Sequence, residues 1–334
     1  MEKSVLLIGG AGYIGPVITE DLLKSKAKVT CLDLLLYENK KSIEKFLTDK
    51  NYRFIHGDLS DLSLIDPILK SITDVVILAG LVGDPITKKY PKESKLINEV
   101  KIMGLIDHLN NQGLNKVIFI STCSNYGLIP GNTLADENYP LNPLSLYAKS
   151  KVAVEEYILN SRTQKDYCPI VLRFATAFGL APRMRFDLTV NEFVLELATL
   201  GHIDVYDPDT WRPYCHVKDF ARLINLVLSA PNNVVSHQIF NSGDEKNTCT
   251  KRDLIKMIQV YIPNIEVNYI SSGGDPRNYQ VNFSKVRESL GFIAENSIEN
   301  GIAEILGELK NKNFTIHDKT SNFHGNYKIK FNNL

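Results

Sequence analysis

The sequence predicts an α/β protein built on a doubly wound parallel sheet, with a smaller α/β lobe interleaved into it. Three observations predict this. Short runs rich in Val and Ile recur along the chain, longer segments of helical pattern separate them, and a cluster of glycines joins the first run to the first helix.

The apolar runs are 4–9, 28–33, 52–56, 74–80, 115–121 and 168–175. Each has strand length and is nearly continuous in apolar character, which is how strands covered on both faces read. Helices are expected at about 13–25, 61–72, 93–113 and 146–165, long enough to serve as crossovers between parallel strands. After Phe178 the pattern loosens into GLAPRMRFDLTVNEF, a further helix and the Pro- and Asp-rich DVYDPDTWRPYCHVKDF. The stretch from His216 to Gly243 again reads as a helix plus a strand and is expected to return to the large sheet. This divides the chain into a larger unit, 1–180 with about 216–243, and a smaller lobe, 181–215 with 244–310. Residues 311–334 are rich in Asn and Lys without a sustained period, and are expected to form a weakly ordered polar tail.

Composition narrows the function classes. Of 334 residues, 38 are basic and 38 acidic, so no excess charge is available for neutralising nucleic acid or an anionic membrane. No basic stretch interleaved with aromatics suggests nucleic-acid binding. The longest apolar runs fall far short of the roughly 20 residues of a membrane-spanning helix. No signal segment is evident, and cytoplasm is the expected location. The 5 cysteines, Cys31, Cys123, Cys168, Cys215 and Cys249, are scattered without a CxxC pair. The histidines lack ligand spacing, so no metal is expected.

The first run leads straight into Gly9, Gly12 and Gly15, with Tyr13 and Ile14 between the last two. So bare a backbone can approach a pyrophosphate. Gly9 permits the tight turn, Gly12 keeps a side chain off the phosphates, and Gly15 lets helix and strand pack closely while helix amides face the anion. Asp33 ends the second run 18 residues after Gly15. A carboxylate there accepts hydrogen bonds from ribose hydroxyls and repels a 2′-phosphate, which favours NAD over NADP. Asp58 and Leu59 follow the third run, where a carboxylate reaches toward an adenine amino group, and Leu78, Ala79 and Gly80 close the fourth.

Tyr147 and Lys151 lie four residues apart in a helical segment, so one face carries both. A tyrosine of ordinary pKa about 10 acts as a base near neutral pH only if a nearby cation favours its phenolate. Thr122 ends the fifth run, at the sheet edge where doubly wound proteins place ligands.

In their order and spacing, the glycine loop, Asp33, Thr122 and the Tyr147/Lys151 pair resemble the extended short-chain dehydrogenase/reductases, close to the nucleotide-sugar epimerases and dehydratases. The resemblance spans roughly residues 4 to 310. It implies a Rossmann-type NAD-binding domain in the larger unit and a nucleotide-sugar-binding lobe in the smaller. It also implies that Tyr147 takes a proton from a sugar hydroxyl, that Lys151 holds the nicotinamide ribose and lowers the tyrosine pKa, and that Thr122 binds the reacting oxygen. Asn191, Arg212 and Arg277 match positions that bind the substrate diphosphate, and Arg185, beside Arg183 in a loop facing the expected cleft, joins them as a candidate. Homodimers through a four-helix bundle, and a place in surface-polysaccharide biosynthesis, are implied as well, with 93–113 and 146–165 as the interface helices.

The resemblance also narrows the reaction. Its sugar 4,6-dehydratases carry an Asp-Glu pair after the threonine, where this chain has Cys123 and Ser124. Cys123 also lies one residue out of register for the cysteine of 3,5-epimerising relatives, and reads as a packed small residue. Oxidation at C4 remains, and two outcomes stay open. Return of the hydride to the other face makes a 4-epimerase, and release of the keto sugar makes a 4-dehydrogenase. APRMRFDLTVNEF, RPYCHVKD and DPRNYQV are similar to a branch that includes GDP-heptose 4-dehydrogenases. A non-catalytic NAD-sensing protein is the reading outside enzyme chemistry. His216 in CHVKD is expected to pack the lobes together.

Overall fold

The computed structural model describes residues 3–131, 133–160, 165–271 and 277–329. Seven parallel strands form the main sheet: β1 (Ser4–Ile8), β2 (Lys28–Asp33), β3 (Tyr52–His56), β4 (Asp74–Ile77), β5 (Lys116–Thr122), β6 (Cys168–Phe174) and β7 (Gln238–Ser242). Their order is β3-β2-β1-β4-β5-β6-β7. Every residue of β1, β5 and β6 is buried, as the apolar runs required. The chain steps outward from β1 to β3 and then crosses to β4 on the other side. A crevice therefore opens beyond the ends of β1 and β4, where the two directions part.

The strand read from the His216–Gly243 stretch is β7, at the sheet edge beside β6. A separate three-stranded sheet joins Thr176–Phe178, from the segment 1–180 assigned to the larger unit, to Trp211–His216 and Thr248–Thr250. Helices Thr189–Leu200 and Ile298–Lys310 pack over it around Phe186, Val194, Ile302 and Ile305. His216 caps helix Val217–Ser229, accepting from the Lys218 amide at 3.1 Å, while its other nitrogen meets Glu304.

Three expectations change. The run 74–80 leaves the sheet after Ile77, where the Leu78 and Ala79 amides both donate to the Ile8 carbonyl at 2.9 Å. The helix expected at 93–113 runs from Pro91 to His108, with a π-helical turn at Leu96–Lys101 inside it. Beside this wider turn the Asn98 amide bonds both backbone groups of Leu81, at 2.7 and 3.1 Å, so the helix braces the crevice loop. The helix expected at 146–165 ends at Ile158, and residues 161–164 lie outside the described residues.

Of the segment 311–334 read as a weakly ordered tail, residues 311–329 are corrected, and 330–334 lie outside the described residues. Ile316–Thr320 forms a 3-10 turn, and Ser321–Ile329 folds back along the crevice. Its polar side chains bond backbone groups, which a periodicity reading cannot detect. Ile329 is buried with Tyr37, Leu81, Ile86 and Ile97. Among the described residues no helix is long and apolar enough to cross a membrane.

Candidate active site

The glycine loop lies between β1 and helix Gly15–Lys24. A Cβ on Gly9, whose φ is +81°, would lie 2.6 Å from Ala79 backbone atoms, and one on Gly15 would lie 2.2 Å from the Gly10 carbonyl oxygen. Both hydrogens are therefore required by packing. Gly12 differs, because the nearest atom to its added Cβ is 3.5 Å away. Gly12 thus faces a space that a side chain would fill, and the loop fits a dinucleotide's diphosphate.

Gly9, Gly12, Tyr13, Ile14, Gly15 and Asp33 line one cavity together with Asp58, Leu59, Leu78, Ala79 and Gly80. Asp33 accepts from the Ala11 amide at 2.9 Å and the Leu35 amide at 2.8 Å, yet burial outweighs these bonds and pushes its carboxyl pKa upward. Asp58 pairs with Lys101 at 2.5 Å, and although burial opposes it, the bonds to Lys101 and Ser60 leave its carboxyl below the usual range. Sequence reasoning missed Lys101, which lines the cavity too.

The same cavity extends to Thr122, Tyr147 and Lys151. Thr122 ends β5 and caps the following turn, its hydroxyl accepting from the Ser124 amide at 3.1 Å. Ser145 caps the helix Leu146–Ile158 that carries Tyr147 and Lys151. One turn further on, buried Glu155 fastens that helix to the sheet, accepting from Arg173 at 2.7 Å, Asn125 at 2.7 Å and the Ser121 hydroxyl. Lys151 donates to the Ile120 carbonyl at 2.8 Å and lies 4.5 Å from the Phe119 ring centre. Burial lowers its pKa to about 7.

Burial foremost, and then Asp84, raise the Tyr147 phenol above its ordinary value, with Arg185 opposing. The Lys151 ammonium, donating to the Ile120 carbonyl, lies 5.8 Å from the Tyr147 ring centre.

The second lobe brings Arg185 and Arg277 to the cavity but not Asn191 or Arg212. Asn191 is fully buried, and its amide accepts from Gly179 N at 3.0 Å and donates to the Tyr13 hydroxyl and the Arg185 carbonyl, each at 3.0 Å. It ties the Tyr13 side chain of the glycine loop to the backbone at Gly179 and Arg185. Arg212 likewise sits behind the wall, donating to the Arg277 carbonyl and lying 5.2 Å from the Tyr279 ring centre. Arg277 pairs with Asp84 at 2.9 Å, and Arg185 with Asp187 at 2.5 Å.

Ser124 and Thr176 also line the cavity, and Ser124 lies 3.3 Å from the Tyr279 hydroxyl. Thr176 carries no motif that sequence reading detects, and Tyr279 lies within DPRNYQV without having been singled out. Cys123 is buried and donates to the Arg173 carbonyl at 3.1 Å, and burial pushes its thiol pKa upward. Among the described residues, no three His, Cys, Asp or Glu side chains are grouped to hold a metal ion.

A glycine-lined phosphate cradle at the switch point of a parallel sheet, continuous with a Thr–Tyr–Lys constellation, defines the class of nucleotide-dependent enzymes that oxidise or reduce a carbon bearing oxygen. Comparison with known proteins makes this specific: the chain belongs to the NAD dependent epimerase/dehydratase family, whose model matches residues 5–243. It is 25% identical over 316 residues to a putative UDP-glucose 4-epimerase of Methanocaldococcus jannaschii, covering 93% of this chain and 100% of the relative. It is 27% identical over 312 residues to the UDP-glucose 4-epimerase of Corynebacterium glutamicum, covering 88% and 91%. The solved structure of MoeE5 in complex with UDP-glucuronic acid and NAD superposes with a TM-score of 0.79 at 26% identity, covering 92% of this chain and 99% of that one.

Proposed function

We propose that the protein oxidises C4 of a nucleotide-linked sugar and returns the hydride to the opposite face, as a sugar-nucleotide 4-epimerase. The observation that carries this reading is the single cavity joining the Gly12 cradle to Thr122, Tyr147 and Lys151. Bound NAD supplies the hydride acceptor and, as a pyridinium, a positive charge that favours a tyrosine phenolate. Tyr147 as phenolate takes the O4 proton while the hydride leaves C4, which makes a C4 ketone. Thr122 holds the reacting oxygen, and Lys151 holds the nicotinamide ribose. On return, Tyr147 gives the proton back to the oxygen as the opposite face of C4 receives the hydride. Atoms and electrons therefore balance within one site, and no second substrate is consumed.

Two further observations support this over elimination. Cys123 is buried away from the cavity and Ser124 is no acid or base of suitable strength, so neither position supplies the carboxylate that removal of water requires. The relatives named for UDP-sugars make these the first substrates to assay. A cytoplasmic location, a role in surface-polysaccharide biosynthesis and a homodimer belong to the same proposal. Leu96, Val100 and Leu146, exposed on or beside the two expected interface helices, support the dimer.

Incubation with UDP-, dTDP-, CDP- and GDP-sugars, read by mass spectrometry and NMR, tests the reaction. Unchanged mass with inverted C4 is expected, whereas a product lacking two hydrogens would replace the epimerase by a 4-dehydrogenase. Tyr147→Phe is expected to retain NAD and lose turnover. Unchanged turnover in that variant would end the assignment of Tyr147 as base.

A further inference from the structure

Arg183 sits on the loop between strand Thr176–Phe178 and helix Thr189–Leu200, and it is 2% exposed while lining the cavity. Its Nη2 donates to the Asn326 side-chain oxygen at 2.9 Å, the Gly325 carbonyl at 3.2 Å and the Asn322 carbonyl at 3.5 Å. All three acceptors are neutral, and its Nε is buried with no hydrogen-bond partner. Among the described residues no carboxylate lies within ion-pair distance of it: Asp187 pairs with Arg185, and Asp187 and Asp33 act on Arg183 only from further off. The other charges along the cavity are already engaged: Asp58 with Lys101, Asp84 with Arg277, and Asp33 with two backbone amides. A buried guanidinium without a counter-charge is costly, and a planar fork with a spare N–H is suited to phosphate oxygens.

Its position says which phosphate. The guanidinium lies 4.8 Å from the Tyr37 ring centre, on the loop that follows β2. That loop is tied to the glycine turn, where Asn39 and Ser42 both donate to the Ala11 carbonyl, at 2.6 and 2.7 Å. Arg183 therefore borders the loop that is tied to the glycine turn. The segment that holds it bridges the crevice. Asn326 donates to the Val82 carbonyl after β4 at 2.9 Å, and the His324 carbonyl accepts from Phe186 N in the second lobe at 2.8 Å.

We propose that Arg183, held in place by the C-terminal strap Ser321–Ile329, is a second-lobe ligand of the dinucleotide's diphosphate, and that the strap slows release of the dinucleotide. This rests on the NAD-dependent reading of the cavity. Bound phosphates would lie between the glycine-loop amides on one wall and the Arg183 fork on the other. For the dinucleotide to leave, Asn326 would have to release both Val82 and Arg183.

The test compares the full-length protein with Arg183→Met, which keeps bulk without charge, Arg183→Lys and Asn326→Ala. Calorimetry with NAD, ADP-ribose, adenosine and UDP gives affinities, and NADH fluorescence gives the dissociation rate. Arg183→Met is expected to weaken NAD and ADP-ribose by about tenfold or more while leaving adenosine and UDP within about twofold, with partial recovery in Arg183→Lys. Asn326→Ala is expected to speed NADH dissociation by roughly threefold or more. Unchanged ADP-ribose affinity in folded Arg183→Met overturns the proposal, as does equal weakening of adenosine. Weakening of UDP alone would assign Arg183 to the substrate and overturn it too. Should Arg183→Met not fold, an unchanged dissociation rate in Asn326→Ala overturns it. Wild-type protein that binds no NAD would instead overturn the cofactor reading beneath it.

Discussion

The glycine loop separates a hydrogen needed for binding from hydrogens needed for folding, and Gly12→Ala against Gly15→Ala measures the difference. In Gly15→Ala the new methyl would sit 2.2 Å from the Gly10 carbonyl oxygen, far inside contact distance, so helix and turn must separate. Overpacking of backbone on backbone should cost about 2–3 kcal/mol of stability. In Gly12→Ala the nearest atom is the Gly9 carbonyl oxygen at 3.5 Å, an ordinary contact, and the residue lies outside the left-handed region. Stability should hold or rise by up to ~1 kcal/mol, because alanine restricts the unfolded chain. The methyl instead projects into the phosphate cradle, and a loss of about 2 kcal/mol in NAD binding would weaken affinity roughly thirtyfold. Urea denaturation and titration calorimetry on both variants give the two numbers. If Gly12→Ala lost as much stability as Gly15→Ala, or bound NAD within about twofold of wild type, the division of labour between the two glycines would be refuted.

Further outcomes follow from the buried charges. Glu155→Gln leaves the Arg173 guanidinium buried without its counter-charge and should cost about 3–5 kcal/mol in urea denaturation, and a loss below ~1 kcal/mol would show that the pair does not hold the helix. Glu304 meets His216 and Lys218, and although burial opposes it, these partners hold its carboxyl down at about 2 from an ordinary value of 4.5. A lowered acid stabilises the fold above its unfolded pKa and loses that contribution as pH falls through the folded value. Glu304→Gln should therefore lower stability by ~1–3 kcal/mol at pH 7, the side chain being about one-fifth exposed, with the difference from wild type shrinking between about pH 4.5 and 2. A difference independent of pH in thermal melts would mean that Glu304 acts through packing alone.

The sheet was legible because each of its strands is a local pattern. Residues 4–8, 116–122 and 168–174 are buried on both faces, and near-continuous apolar character follows from that alone. The glycine turn, Asp33 at the end of β2, Thr122 at the end of β5 and the four-residue Tyr–Lys spacing are local as well. Once the strand order brings the ends of β1, β4 and β5 together, these residues must share a crevice. The helix expected at 93–113 was harder to read, because its π-helical turn at Leu96–Lys101 is braced by Asn98 bonding Leu81, 17 residues away.

The sequence by itself determined the fold class, the glycine turn at the end of β1, and the Thr122, Tyr147 and Lys151 positions that share a cavity with it. Only the tertiary structure decided which polar side chains are spent on holding the protein together and which remain for a ligand. Asn191 turns inward to Tyr13, 178 positions away, while Arg183 is met by Asn326 across 143. It also decided that Tyr147 is raised and Lys151 lowered in pKa. The physical reason is the same in each case. Desolvation and hydrogen-bond satisfaction are set by whatever surrounds an atom in space, whereas hydrophobic periodicity reports only which way a residue faces along its own element.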